Sequence, residues 1–117
     1  MNLEKKIEAD PNLSPFRKKV LSALLLIPKG RVSTYKLLAE HLDCHSAQAI
    51  GQALKHNPLA PAVPCHRIIR TDLSIGGFMG KRSGDPISRK FELLKEEGVS
   101  FDQNGYMINN EPFHFPK

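Results

Sequence analysis

The sequence predicts one mainly α domain that carries only short strands. Four segments place apolar residues at helical spacing behind a residue that can cap a helix, which is the pattern of amphipathic helices. Near the C terminus, Asn104-Gly105 lies between two short apolar runs and predicts a small hairpin. The 117 residues suffice for one hydrophobic core but are short for two domains, so we expect a single domain over residues 1–117.

The first helix follows a polar lead-in. Residues 1–13 are predicted to be mobile or loosely docked. Ser14-Pro15 then supplies a capping hydroxyl and a proline at the first helical position. The apolar face of this helix consists of Phe16, Val20, Leu21 and Leu24. Pro28 and Gly30 predict its end.

A pair of short helices follows. Ser33 or Thr34 can cap the second helix, and Ser46 can cap a third that runs from Ala47 to about His56. Their predicted inner positions are Leu37, Leu38, His41, Leu42, Ile50 and Leu54. Two short helices joined by about four residues are typical of a helix-turn-helix, and equally of an ordinary helical hairpin. The third helix is thin because it carries Ala47, Ala49, Gly51 and Ala53. Such residues permit the close approach of a packed neighbour or of a nucleic-acid groove.

The last helix begins at Asp85-Pro86 and ends at Gly98. Its apolar face consists of Ile87, Phe91 and Leu94. Residues 99–117 form a C-terminal tail that contains the predicted hairpin. The elements together favour a winged-helix-like helix-turn-helix domain with short strands or a small C-terminal hairpin.

Charge and composition narrow the class of protein. Lys plus Arg number 17 against 12 for Asp plus Glu, a net charge of +5. Residues 66–90 hold most of this excess, which fits either a phosphate-binding surface or a solvated basic face. No apolar stretch has the length of a secretory signal or a membrane span. We therefore expect an intracellular protein, in the cytoplasm and nucleoid or in a nucleus, with Cys44 and Cys65 reduced.

The residues that carry chemistry are Pro64-Cys65-His66-Arg67. A proline-rich segment, 58–64, is stiff and delivers Cys65 at a fixed place. A cysteine becomes nucleophilic as the thiolate, which needs a nearby base or positive charge. Adjacent side chains diverge, so His66 would act on Cys65 through a bridging water. Glu96 or Glu97 could hold the other imidazole nitrogen and fix the tautomer.

Three other interpretations of these residues stay open at this point. A lone cysteine is more often a small buried hydrophobe than a catalyst. A metal site could draw on His41, Cys44, His45, Cys65 and His66. Their spacing matches no common zinc pattern. A thiol hydrolase would need an oxyanion hole, for which nothing in the sequence argues. The glycine-containing loop over residues 71–84 lacks the spacing of a nucleotide-binding loop.

Pro64-Cys65-His66-Arg67, followed by Ile68-Ile69, closely resembles the active-site motif of the O6-alkylguanine-DNA alkyltransferases. Other matching segments are Asn57-Pro58, 30–39 (the start of the family's helix-turn-helix), 47–51 (its recognition helix), 76–80 (its substrate-pocket loop) and 93–98 (its last helix). The resemblance spans roughly residues 14–98, the catalytic domain of that family.

The resemblance implies direct, irreversible repair of double-stranded DNA containing O6-alkylguanine, with the damaged base rotated out of the stack. Cys65 would accept the alkyl group once, His66 would deprotonate it through water, and Glu97 would orient His66. The implied substrate-binding residues are Tyr35, Asn57, Val63, Phe78 and Met79. The implied DNA-binding residues are Thr34, Ala47, Gln48, Ala49, Gly51 and Arg67. No cofactor, metal or membrane is implied, and we expect a monomer.

More specific roles also follow from the resemblance. Tyr35 would contact the flipped nucleotide or its 3′ phosphate, and Asn57 would brace the active-site turn. Backbone groups around Val63 and Cys65 would read the guanine edge. Phe78 and Met79 would line the pocket. Arg67 is expected to be structural rather than catalytic.

Two positions depart from the family pattern. Gln48 stands where the family usually has an arginine that fills the gap left by the flipped base, and Phe78 where a tyrosine commonly bonds O6. A related subgroup, the alkyltransferase-like proteins, lacks the cysteine and marks lesions for downstream repair proteins. The sequence therefore predicts a suicide transferase, with a lesion-binding module whose cysteine is idle as the alternative.

Overall fold

The computed structural model describes residues 2–55, 57–59, 62–76, 85–108 and 110–116. This part of the chain is mainly α. Its helices are α1 (Leu3–Ala9), α2 (Pro15–Leu24), α3 (Tyr35–His41), α4 (Ala47–Lys55) and α5 (Asp85–Glu96), with a 3₁₀ turn at Cys65–Arg67. Its strands are β1 (Ser33–Thr34), β2 (Ile68–Ile69), β3 (Ser100–Phe101) and β4 (Met107–Ile108).

The predicted helix starts are confirmed by hydrogen bonds at the caps. The Ser14 hydroxyl accepts from the amide of Arg17 at 3.2 Å and begins α2. Of the two candidates for α3, Thr34 is the cap, since its hydroxyl accepts from the Leu37 amide at 3.2 Å. Each contact satisfies an amide that has no partner within its own helix.

The lead-in is not loosely docked, so that prediction is wrong. Asn2 caps α1 by accepting from the Lys5 amide at 2.9 Å. Ile7 is fully buried and joins the main core, and α1 packs on α2. The polar composition of residues 1–13 gives no sign of this short helix, in which Ile7 is the one fully buried residue.

Two small sheets join the helices. β1 pairs with β2 in parallel, with Ser33 opposite Ile68. β3 and β4 form the antiparallel hairpin predicted from Asn104-Gly105. The turn closes with a hydrogen bond from the Gly105 amide to the Asp102 carbonyl at 3.0 Å, and Gly105 has a φ of +84°. The winged-helix description stays a prediction.

The core has two parts, and β2 contributes to both through Ile68 and Ile69. The larger part lies among α1, α2, α4 and the 3₁₀ turn. The smaller part consists of Val32, Ile69, Leu94, Val99 and Met107. Helix α3 departs from the prediction at one position. His41 is exposed rather than buried in the core, and its ring stacks on Phe115 of the C-terminal segment with ring centroids 4.9 Å apart.

The C-terminal segment is tied to the chain before α3. The Phe113 amide donates to the Val32 carbonyl at 2.6 Å, and the Ser33 hydroxyl donates to the Phe113 carbonyl at 2.8 Å. Among the described residues, no helix is long and apolar enough to cross a membrane.

Candidate active site

The turn that delivers Cys65 is held by Asn57. Its side-chain amide donates to the Val63 carbonyl at 2.8 Å, and its side-chain oxygen accepts from the Leu59 amide at 2.9 Å. Val63 closes the turn by donating its amide to the Leu59 carbonyl at 2.9 Å. Asn57 is itself buried, so these two bonds satisfy a side chain that has left water. The prediction that Asn57 braces this turn agrees with these contacts.

The Cys65 thiol begins the 3₁₀ turn and is 5% exposed. Burial raises the pKa of the thiol above its ordinary value, because a thiolate loses hydration in the interior. A hydrogen bond from the Asn57 side chain and the positive charge of Lys90 act in the opposite direction. The site therefore holds a mostly protonated thiol that needs a base to react.

The candidate base is His66, whose Nε2 lies 3.1 Å from Glu97 Oε2. Burial lowers the pKa of His66, and the Glu97 carboxylate offsets part of this effect. A neutral imidazole that faces a carboxylate through Nε2 carries its proton there, which leaves Nδ1 as the acceptor. Nδ1 is buried and has no partner among the described residues. This arrangement presents a proton acceptor next to the cysteine in the chain.

Glu97 also binds Arg67. The guanidinium donates from Nε to Oε1 at 2.9 Å and from Nη2 to Oε2 at 2.7 Å. Partial burial alone would raise the pKa of Glu97, but the bonds from Arg67 and His66 outweigh it and hold that pKa below its ordinary value. Glu97 is therefore ionised at neutral pH, as a partner of a neutral imidazole must be. Of the two predicted carboxylates, the structure selects Glu97, and Glu96 is exposed.

Arg67 points inward, which corrects its predicted place among the DNA contacts. Its third bond runs from Nη1 to the Ile27 carbonyl at 2.8 Å, and its side chain is 16% exposed. A guanidinium committed to a carboxylate and a carbonyl has little left for a phosphate. The expectation that Arg67 is structural rather than catalytic agrees with this geometry.

The end of α5 fixes the position of Glu97. Gly98 follows the helix with a φ of +88°, and the Val99 amide donates back to the Leu94 carbonyl at 2.9 Å. A side chain on Gly30 would bring its Cβ within 3.2 Å of the Glu97 carbonyl oxygen. The turn before β1 therefore packs directly on the backbone of the acidic residue.

Tyr35 and Thr34 lie at the start of α3, next to the site. Burial raises the pKa of the Tyr35 hydroxyl, the Cys65 thiol adds to the effect, and Arg70 opposes it. Tyr35 is thus near enough to Cys65 for the two groups to interact electrostatically. Thr34 is buried and its hydroxyl caps α3, and its contact with DNA stays a prediction.

The predicted DNA-facing helix is α4. Gln48 is exposed, and Ala49 and Gly51 are half-buried. A Cβ added to Gly51 would meet nothing within 4 Å. Residues 48 and 51 are three apart and share one face of the helix. On this face Gln48 is accessible, and Gly51 adds no side chain beside it. Ala47 begins the helix.

The Val63 backbone makes hydrogen bonds within the turn, and its contact with a substrate stays a prediction. Its carbonyl accepts from both the Asn57 side chain and the Cys65 amide, the latter at 2.9 Å, which uses both lone pairs. Its amide is also committed within the turn. The other predicted pocket residues, Phe78 and Met79, lie outside the described residues.

The metal alternative finds no support in the described part of the chain. There, no three His, Cys, Asp or Glu side chains come together as a metal ion would require. Cys44 and Cys65 form no disulfide. The candidate ligands are therefore not gathered in one place.

Lys90 lies close to the site, although the sequence motifs do not single it out. Its side chain is 1% exposed. The available signal was its spacing, because Lys90 lies three residues after Ile87 and four before Leu94 and thus on the apolar face of α5.

Comparison with known proteins places this site in a family. The family model described as "6-O-methylguanine DNA methyltransferase, DNA binding domain" matches residues 15–99. This chain belongs to that family. The match includes α2 to α5 and every residue of the Cys65, His66 and Glu97 group. The resemblance stated from the sequence is therefore confirmed.

Curated relatives carry the name methylated-DNA–protein-cysteine methyltransferase. The relative from Pyrobaculum aerophilum is 41% identical over 88 residues, which are 75% of this chain and 55% of that protein. The relative from Mycobacterium bovis is 37% identical over 92 residues, 78% of this chain and 53% of that protein. The chain thus spans about half the length of these relatives.

Solved structures of two kinds are similar to this fold. The O6-methylguanine-DNA methyltransferase of Pyrococcus kodakaraensis has a TM-score of 0.65 and 40% identity, over 74% of this chain and 48% of that one. S. pombe Atl1, solved in complex with damaged DNA containing O6-carboxymethylguanine, has a TM-score of 0.69 and 30% identity. That likeness covers 91% of this chain and 98% of Atl1.

Proposed function

We propose that the protein repairs DNA by transferring the alkyl group of O6-alkylguanine to Cys65. The observation that carries this proposal is the contact between Glu97 and His66, which leaves Nδ1 of the residue next to Cys65 as an unused proton acceptor. Membership in the methyltransferase family supports the choice of substrate. Double-stranded DNA is the proposed partner, and the protein is proposed to act as a monomer.

The transfer is a substitution at the alkyl carbon. The Cys65 proton passes through a water to His66 Nδ1, and the thiolate attacks the carbon bonded to O6. A C–S bond forms as the C–O bond breaks. Guanine leaves as an anion whose O6 keeps the electron pair of the broken bond. That anion takes up one proton and becomes ordinary guanine. The thioether has no route back to a thiol, so each molecule acts once.

The surrounding residues have proposed roles that follow from their positions. Tyr35 lies beside Cys65 and contacts the rotated nucleotide. The open face of α4 enters the groove, and Gln48 takes the space that the rotated base leaves. Glutamine offers hydrogen bonds to the orphaned cytosine without a positive charge. Base rotation is therefore expected to be less favourable than with arginine at this position.

A second candidate function is lesion binding without transfer. It is favoured by the match to S. pombe Atl1, which covers nearly the whole of both chains. Burial of the Cys65 thiol, which keeps it protonated, is compatible with this alternative as well. In this case downstream repair proteins would be the further partners.

Intact-mass spectrometry separates the two functions. The protein is incubated with a duplex oligonucleotide that carries O6-methylguanine, beside the same duplex with guanine. Transfer adds the mass of one methyl group, and Cys65→Ala abolishes the gain. Selective binding to the lesion duplex with no mass change in the wild-type protein would refute transfer and favour the lesion-binding alternative.

A further inference from the structure

Among the described residues, Lys90 is the largest side chain that is fully buried. A lysine leaves water only where partners compensate its charge, so a buried lysine requires a reason. Its Nζ donates to the Ile68 carbonyl at 2.8 Å and to the Ile75 carbonyl at 2.6 Å. These two acceptors are backbone carbonyls, one in β2 and the other six residues after β2.

These two contacts tie the nucleophile to the chain beyond β2. Ile68 donates its own amide to the Cys65 carbonyl. A single residue, Ile68, therefore bonds to both Lys90 and the cysteine. Ile75 leads directly into Gly76, which has a φ of +71°. A Cβ on Gly76 would lie 3.8 Å from Lys90 Nζ and 3.3 Å from Arg70 Cγ. The backbone is thus drawn close around the ammonium group.

We propose that Lys90 is a positioning residue for Cys65: its ammonium group joins β2, which directly follows the 3₁₀ turn of the nucleophile, to the backbone at Ile75 and brings a positive charge to the thiol. Neither the family match nor the relatives' names assign this lysine a role. The inference rests on the proposed function only for its consequence in alkyl transfer, because the effect on the thiol is measurable without DNA.

The charge of Lys90 depends on pH near neutrality. Burial lowers its pKa to about 7, the Cys65 thiolate opposes this by raising it, and Arg70 lowers it further. Tyr35, Asn57 and His66 also interact with one or the other member of this pair. Lys90 is charged below pH 7, where it favours the thiolate. It loses its proton above pH 7 and then no longer lowers the pKa of the Cys65 thiol.

The test is the rate at which iodoacetamide alkylates Cys65 between pH 5.5 and 9.5. The thiolate displaces iodide and forms a thioether, so the rate reports the thiolate fraction. Peptide mass spectrometry separates Cys65 from Cys44, which serves as an internal reference. Lys90→Met keeps most of the apolar stem but removes the charge, and Lys90→Arg keeps a charge throughout this range. Lys95→Met, at an exposed position on α5, is the matched control.

We expect wild-type Cys65 to react about three- to tenfold faster than in Lys90→Met below pH 7, equivalent to a shift of about 0.5 to 1 unit in the thiol pKa. The ratio should approach one as the pH rises past 8. Lys90→Arg should restore the fast rate and keep it above pH 7. Lys95→Met and the Cys44 reference should follow the wild type.

The proposal is overturned if folded Lys90→Met gives the wild-type rate at every pH. Should Lys90→Met not fold, the wild-type profile itself decides. A rise that flattens near pH 7 at Cys65 but not at Cys44 supports the role of Lys90, and a rise of constant slope through pH 7 overturns it. Failure of methyl transfer from DNA, with this pH signature present, would refute the proposed function and leave the role of Lys90 standing.

Discussion

Replacing Glu97 with glutamine tests the group of contacts on which the site depends. Glu97 accepts three hydrogen bonds, two from Arg67 and one from His66, and its side chain is 11% exposed. The glutamine amide keeps one oxygen acceptor, but its NH₂ group faces a donor of Arg67 or His66 instead of accepting from it. The Arg67 guanidinium also loses its negatively charged partner. Removing one partner of a buried pair usually costs about 3–5 kcal/mol, and the remaining acceptor lowers our expectation to about 2–4 kcal/mol at pH 7.

The assay is urea unfolding followed by circular dichroism, since the chain has no tryptophan. The pKa of Glu97 is below its ordinary 4.5, so its stabilising contribution is complete above that pH and is lost as the pH falls through the folded-state value. The difference between wild type and Glu97→Gln should therefore shrink below pH 4.5. Glu96→Gln, at the exposed neighbour, should stay within about 0.5 kcal/mol of wild type.

Glu97→Gln should also slow the reaction of Cys65 with iodoacetamide. The carboxylate raises the pKa of His66 against the effect of burial, so its loss makes the imidazole a weaker base. A variant with wild-type stability at pH 7, or a stability difference that does not change with pH, would refute the assignment of these contacts.

Three further predictions concern DNA binding and the active-site turn. Gln48→Arg should strengthen binding to lesion DNA or speed transfer, by up to about tenfold (about 1.4 kcal/mol), in a titration with the lesion duplex; no change in either would show that Gln48 is not the residue that fills the gap. Affinity for the duplex should fall with rising salt, with a log–log slope of about 0.9 per phosphate contact, and a flat dependence would argue against DNA as the partner. Asn57→Ala removes both side-chain bonds that hold the Cys65 turn, so the free energy of unfolding in urea should fall by about 2–4 kcal/mol. A fall below about 0.5 kcal/mol would show that Asn57 does not stabilise this turn.

The helix starts were predictable because capping is local. Ser14 and Thr34 each bond an amide three residues later, and a short window of sequence contains both partners. The hairpin at Gly105 follows the same logic, since its turn residues are contiguous. Helix α1 was missed because its only fully buried residue is Ile7, too little for an apolar pattern to stand out.

The site was predictable in its membership but not in its geometry. The Cys65 motif carries a strong family signature, whereas the partners of each group depend on long-range packing. Arg67 reaches Glu97, thirty residues away in the chain, and so leaves the surface where its charge suggested it would lie. Lys90 is drawn inside by two backbone carbonyls that no sequence pattern reveals. The backbone of Val63 is hydrogen-bonded to the Asn57 side chain and the Leu59 carbonyl, which the motif alone does not reveal.

The most direct test of the account is to locate the methyl group after one round of reaction with O6-methylguanine duplex. Peptide mass spectrometry of the protein should find up to one methyl group per chain, on Cys65 and not on Cys44, with guanine restored in the duplex. A protein that binds the lesion duplex selectively yet leaves both cysteines unmodified and the lesion intact would contradict the central claim that Cys65 is the acceptor.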